Sequence, residues 1–199
     1  MGRPALKAPT YQDILDLPEH LTGEIVAGEL FASPRPSFDH SGVSSALTSD
    51  LGPPFMRGRG GPGGWWIFFE PELHMGGDIM VPDLAGWRRE RMPQRHRGAY
   101  HTLAPDWICE IHSPSTARLD RIRKMPAYAR EGVNHAWLID PAARLLEVFR
   151  LTDGLWTVVG AYGGDALVRA EPFDAIELDL LALWGEERVP DAEASASEE

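Results

Sequence analysis

The chain has 199 residues, 43% of them hydrophobic, which suffices for one core and predicts a single domain over residues 1–185. Its 19 Lys and Arg against 30 Asp and Glu leave a net charge of -11, which argues against a general nucleic-acid coat protein, because phosphate affinity comes from basic side chains. The single cysteine, Cys109, excludes a disulfide framework and predicts a cytoplasmic protein, and no stretch approaches the roughly 20 apolar residues of a membrane-spanning helix.

Residues 10–17, TYQDILDL, read as a short helix with Thr10 as N-cap and Asp13 at the third position after it. GEIVAGELFAS reads as a hairpin turning at Ala27-Gly28. Within residues 39–51, Val43, Leu47 and Leu51 recur every fourth position, a helical stripe. FMRGRGGPGGW is a flexible glycine-rich turn. It lacks the Gly-Lys-Ser/Thr ending of a phosphate-binding loop and the strand-to-helix context such a loop needs. Three strand candidates follow: WWIFFEPELHM, DIMVPDLAGW and DWICEIH. Between the second and third, residues 88–101 hold 5 Arg and 2 His against 1 Glu. Arg88, Arg89, Arg95 and Arg97 are therefore candidates for phosphate contact, although a solvated arginine-rich loop has the same composition.

Ser115 or Thr116 caps a helix running to about Glu131, which Gly132 closes. NHAWLIDP is a further strand, and RLLEVFRLTDGLWTVVGAY is a hairpin with Asp153-Gly154 at its tip. FDAIELDLLALW is either a strand leading into a short helix or one helix. Residues 186–199, EERVPDAEASASEE, form an acidic tail expected to be disordered. The order helix, strand, strand, strand, helix, strand, with a hairpin before and another after, argues for an α/β sandwich around one sheet.

Glu110 is the anomaly of this pattern. It lies inside the apolar strand DWICEIH, and burying an unpaired carboxylate costs several kcal/mol, roughly, unless a proton, a cation or a metal compensates it. Alternation places Glu110 and His112 on one face, with Cys109 and Ile111 on the other. Asp83 directly follows Pro82, at a strand start or bulge. Asp120, Lys124 and Tyr128 form one polar stripe of the following helix, which leaves Leu119, Ile122 and Ala129 to face the core. Two carboxylates converging from neighbouring strands make a site for a hard cation such as Mg²⁺. Such an ion polarises a phosphoryl oxygen and acidifies a bound water, and a nearby lysine stabilises developing charge. Each residue also has a plainer reading. Asp83 can cap a turn, Glu110 can sit in a structural ion pair, Glu24 can pair across its hairpin, and Lys124 can be a surface lysine. His112 can be a satisfied histidine, a metal ligand or a substitute for a lysine.

Asp83 after Pro82, with Glu110 on the next strand, is similar to the PD-(D/E)xK nuclease core. GEIVAGEL, SPRP-SFDH, EPEL, VPDLAGW, CEIHSPST, Asp120-x-x-x-Lys124-x-x-x-Tyr128 and GVNHAWLIDP, across about residues 10–184, together resemble the Uma2 family of restriction-type endonucleases. The resemblance implies an α-β-β-β-α-β nuclease core with a mixed central sheet and flanking hairpins. It implies hydrolysis of DNA phosphodiesters with Mg²⁺, for which Mn²⁺ substitutes, and it fits a homodimer, since cutting both strands of a duplex needs two sites. By the same resemblance Asp83 and Glu110 hold the metal. The usual lysine position is occupied by His112, and Lys124 on the helix takes the lysine's role. Glu24 and His40 match further polar positions beside the site, and Pro126 should kink or restart the helix just past Lys124. A catalytically silent binding module on the same scaffold is the alternative.

Overall fold

The computed structural model describes residues 7–113 and 116–188. Helix α1 (Tyr11–Leu15) begins at Thr10, whose amide and hydroxyl both donate to the Asp13 carboxylate, at 2.6 and 2.7 Å. This local exchange satisfies helix-end groups that would otherwise lack partners. Strands β1 (Leu21–Val26) and β2 (Glu29–Pro34) pair antiparallel across Ala27 and Gly28, both left-handed at φ 52° and 76°, as a tight hairpin turn demands. Helix α2 (Phe38–Leu51) starts at Ser37, whose side chain accepts from the His40 amide, and buries the Val43, Leu47 and Leu51 stripe. A single π-helical turn, Gly52–Met56, extends it.

The two strand candidates that follow each break in two. β3 (Trp65–Phe69) and β4 (Leu73–Met75) are separated around Pro71, and β5 (Asp78–Met80) and β6 (Leu84–Arg88) around Pro82. A proline has no N–H to donate to a sheet ladder, so each break falls where the ladder cannot continue. The pieces part company: β3 and β6 join one sheet, β4 and β5 another. The remaining elements are β7 (Trp107–Ile111), α3 (Ala117–Leu119), a π-helical turn at Asp120–Lys124, α4 (Met125–Arg130), β8 (His135–Asp140), β9 (Leu145–Thr152), β10 (Leu155–Gly163), β11 (Leu167–Val168), β12 (Leu178–Asp179) and α5 (Leu180–Leu183).

Six strands in the order β10-β9-β8-β7-β6-β3 make a mixed sheet in which only β7 and β8 run parallel. A second sheet has the order β2-β1-β5-β4, and β11 pairs with β12. The α-β-β-β-α-β core is therefore present as α2, β3, β6, β7, the α3–α4 segment and β8. The expectation of one sheet is corrected to a large sheet with a smaller one packed on it.

Alternation along the large sheet sends side chains into two cores. On one face Trp65, Trp107 and Trp137 surround Phe173, with ring centroids 5.0, 4.8 and 5.6 Å from it, beneath α2 and α5. On the other, Ala85, Trp87 and Ile108 meet Val26, Leu73 and Met80 of the small sheet and Met125 and Tyr128 of α4. Two local expectations change. Ile122 is 58% exposed, and the polar stripe of Asp120, Lys124 and Tyr128 is the buried side of its segment instead. The tail does not begin free at residue 186, because Glu186 pairs with Arg144, and Arg188 pairs with Asp179 at 2.8 Å. Ser115 and the tail beyond residue 188 lie outside the described residues. Among those described, no helix is long and apolar enough to cross a membrane.

Candidate active site

β6 and β7 pair with Leu84 opposite Cys109, so one step further along the ladder Asp83 stands opposite Glu110. Ala85 and Ile108, two residues along each strand, point to the small-sheet core, and the same parity carries Asp83 and Glu110 to that side. Both line one cavity of about 230 Å³. The Asp83 carboxylate is fixed at each oxygen: Oδ2 accepts from the Ile111 amide at 2.6 Å, and Oδ1 lies 2.9 Å from His40 Nε2.

Lys124 enters the cavity from the π-helical turn. Its Nζ lies 2.8 Å from Glu24 Oε1, 2.8 Å from Glu110 Oε1 and 3.9 Å from Asp120 Oδ1. It also donates to the Val81 carbonyl at 3.3 Å, while the Val81 amide donates to Glu24 Oε1 at 2.8 Å. The peptide of Val81, two residues before Asp83, is thus gripped from both ends. The restart of the helix at Pro126 has not turned Lys124 away from the site. Tyr128, one turn on, donates its hydroxyl to Glu110 Oε1 at 2.6 Å.

His112 stands apart from this cluster. Its Nδ1 is 3.1 Å from Asp120 Oδ2, and it borders a neighbouring cleft beside α2 and α5 rather than the cavity itself. It reaches the site through Asp120. Glu70, inside EPEL, is a cavity residue that the sequence reading passed over. It sits in a left-handed backbone conformation (φ 42°), with its amide donating to the Asp83 carbonyl at 3.0 Å. Pro71 directly after it was the one sequence signal that the chain turns there. Of the four candidate arginines, Arg89 is committed to the fold, donating to the Met56 carbonyl at 2.6 Å and lying 4.0 Å from the Trp66 ring centre. Arg88 lies over the Trp65 ring at 4.6 Å. Arg95 and Arg97 line a separate groove that meets the cavity at Glu70.

The cavity gathers the carboxyl groups of Glu24, Glu70, Asp83, Glu110 and Asp120 against two basic groups that contact them, Lys124 and His40. Burial pulls the Lys124 ammonium down, but Glu110 and Glu24 outweigh it and hold the amine well above its ordinary value, so it is charged. Glu110 is pushed well above the usual carboxylate range by burial, against the pull of Lys124 and with Asp120, Asp83 and Glu24 adding to it. Glu110 is the group under strain, because a single ammonium serves it, Glu24 and Asp120. Burial opposes protonation of His40, yet its bond to Asp83 and the charges of Asp83, Glu70 and Asp120 raise it overall. Burial and Asp83 likewise raise Glu70.

Among the described residues no three His, Cys, Asp or Glu side chains come together closely enough to hold a metal by themselves. The donor set still suits a hard divalent cation. Mg²⁺ is commonly held by one or two carboxylates, with water and substrate phosphate completing its shell. Asp83 and Glu110 are two carboxylates on the wall of one cavity, whose carboxyl groups outnumber its basic side chains Arg35, His40 and Lys124.

No curated protein matches the chain. The fold is shared with a crystal structure described as a "putative nuclease belonging to DUF820" from Anabaena variabilis. That match has a TM-score of 0.68 at 24% identity over 87% of this chain and 96% of the other, a likeness that speaks for the fold. A family model described as "Putative restriction endonuclease" matches residues 9–181, nearly the whole span of the described residues, and the chain belongs to that family, Uma2.

Proposed function

We propose that the protein hydrolyses DNA phosphodiesters with a divalent cation, Mg²⁺ in the first instance, held by Asp83 and Glu110. The observation that carries this reading is the carboxylate excess around one buried lysine, in a cavity open to solvent. When bound, the cation would polarise the scissile phosphoryl group and lower the pKa of an attacking water. The chain's own groups then have distinct parts. Lys124 keeps its charge and, with its Nζ fixed by Glu24, sets that positive charge near the negative charge that builds up on phosphorus oxygens. His40 orients Asp83 through Oδ1, leaving the amide of Ile111 to hold Oδ2. Asp120 is steadied by His112 and keeps a third carboxylate near the ammonium. Glu70 places another carboxylate at the cavity wall.

One observation favours a second reading, a silent binding module. Glu110 Oε1 is already satisfied by Lys124 and Tyr128, as it would be in a purely structural ion pair. Single-turnover cleavage of DNA with saturating Mg²⁺ separates the two. Lys124→Met is expected to lower the rate about 10²-fold or more, the usual cost of one lost transition-state donor. Asp83→Asn should lower it further, and His112→Ala should keep most of the activity. Circular dichroism establishes that each variant is folded. Cleavage that persists in EDTA, or in Asp83→Asn, removes the metal-site reading.

A further inference from the structure

We propose that the groove between the end of β3 and the arginine loop seats a single-stranded stretch of DNA and delivers it to the cavity. The proposal takes its class of substrate from the nuclease reading above. The groove holds about 380 Å³ and is lined among others by Phe68, Phe69, Glu70, Arg95, His96 and Arg97. Glu70 belongs to both its wall and the cavity wall, so the two spaces adjoin at that residue.

The depth of the cavity bears on the form of the substrate. Glu110 is 3% exposed and Lys124 2%, at the floor of a space of about 230 Å³. A phosphate reaching that floor must draw its sugar into the mouth after it, which a flexible single strand does more readily than a stiff duplex.

Phe69, the last residue of β3 and the neighbour of Glu70, is 52% exposed beside this polar cavity. An aromatic face in water at the mouth of a phosphate site is a stacking platform for a base of any identity. The loop supplies the charge. Arg91 is spent on Asp106 at 2.9 Å and Arg89 on backbone carbonyls, whereas Arg95 and Arg97 are exposed and carry no ion pair among the described residues. The loop is also held in place. Trp66 Nε1 donates to the Met92 carbonyl at 3.0 Å, and Trp87 Nε1 to the Leu103 carbonyl at 2.9 Å. The His101 amide donates to the Glu72 carbonyl at 2.8 Å, pinning the far end to the approach of β4. An aromatic platform followed by two free guanidinium groups on an anchored loop is the plan of a single-strand groove, in which backbone charge and stacking replace base-edge contacts.

The test is binding of the full chain, in EDTA, to a labelled single strand of about 12 nucleotides and to a hairpin duplex of the same sequence. The single strand is expected to bind at least about 10-fold more tightly. Phe69→Ala should weaken it about 10-fold, and Phe69→Leu nearly as much, because leucine keeps the bulk and loses the π face. Arg95→Gln and Arg97→Gln should each reduce the slope of log affinity against log salt by about 0.7, the single-strand value per phosphate neutralised. Thermal midpoints of the variants confirm their folding. Equal or tighter duplex binding, an unchanged Phe69→Leu, or equal affinity for poly-glutamate would overturn the groove. Asp83-dependent cutting of duplex without single-strand preference would leave the nuclease reading standing and sink this one. Single-strand binding through Phe69 and Arg97 with no cleavage in Mg²⁺ would do the reverse.

Discussion

Glu110 is held from two directions, by the Lys124 ammonium at 2.8 Å and by the Tyr128 hydroxyl at 2.6 Å, both on Oε1. Tyr128 is fully buried, so removing its hydroxyl takes a donor from an acceptor that no water can reach from that side. Tyr128→Phe is expected to lower stability by about 1–3 kcal/mol, the usual cost of taking a partner from a buried hydrogen-bonding group. Denaturant melts with an unchanged m-value would measure it, and no shift in midpoint would mean that the bond is idle. This residue-scale logic was legible in the sequence because a carboxylate within an apolar strand must be compensated. Lys124 and Tyr128, at i and i+4 on the next helix, were within reach. Glu70 was not legible. It sits between Phe69 and Pro71 just past the end of a strand, and its entry into the cavity depends on a left-handed backbone that composition does not specify.

Lys124 closes a π-helical turn, in which the Met125 amide reaches back five residues to the Asp120 carbonyl. Pro126 follows at the start of α4, where its missing N–H leaves no broken ladder behind it. The widened turn and the proline belong together. A regular α-helix through this point would drive the proline ring into the preceding turn, at a cost of about 3 kcal/mol. Pro126→Ala frees the segment to tighten into an α-helix. We expect its thermal midpoint to rise while cleavage falls about 10-fold or more, because a small misplacement of a catalytic group is costly. A lower midpoint with unchanged cleavage would show that the proline serves only as a helix start. Proline also explains what element-scale reading missed. Alternation ran straight through Pro71 and Pro82, and β4 and β5, at three residues each, are too short to show a period of their own. The hairpins were read correctly because Ala27-Gly28 and Asp153-Gly154 carry their turn geometry locally.

The cavity lies where the small sheet meets the large one, and Lys124 spans the junction. It binds Glu24 of β1 on one side and Glu110 of β7 on the other, at 2.8 Å each. Arg130 of α4 adds a second link, to Asp78 of β5 at 2.5 Å. The links to the small sheet were not legible in the sequence pattern, because Glu24 stands 100 residues before Lys124 and Asp78 stands 52 before Arg130. The groove proposed for one strand would let a single protomer make each cut, without the homodimer expected for duplex cutting. What the junction does predict is coupling between the candidate site residues and the fold. Glu24 and Lys124 contact each other and share the Val81 peptide, so their effects on stability should not add. Glu24→Gln weakens one end of the bridge, Lys124→Met strips the cation from both ends, and in the double variant the loss at Glu24 has already been counted. A double-mutant cycle in denaturant unfolding is expected to give an interaction of about 1–3 kcal/mol, within the range for buried residues in one network. Additivity to within about 0.5 kcal/mol would mean that the sheets dock through their apolar faces alone. In that case the ion pair would be maintained for its chemistry and not for the fold.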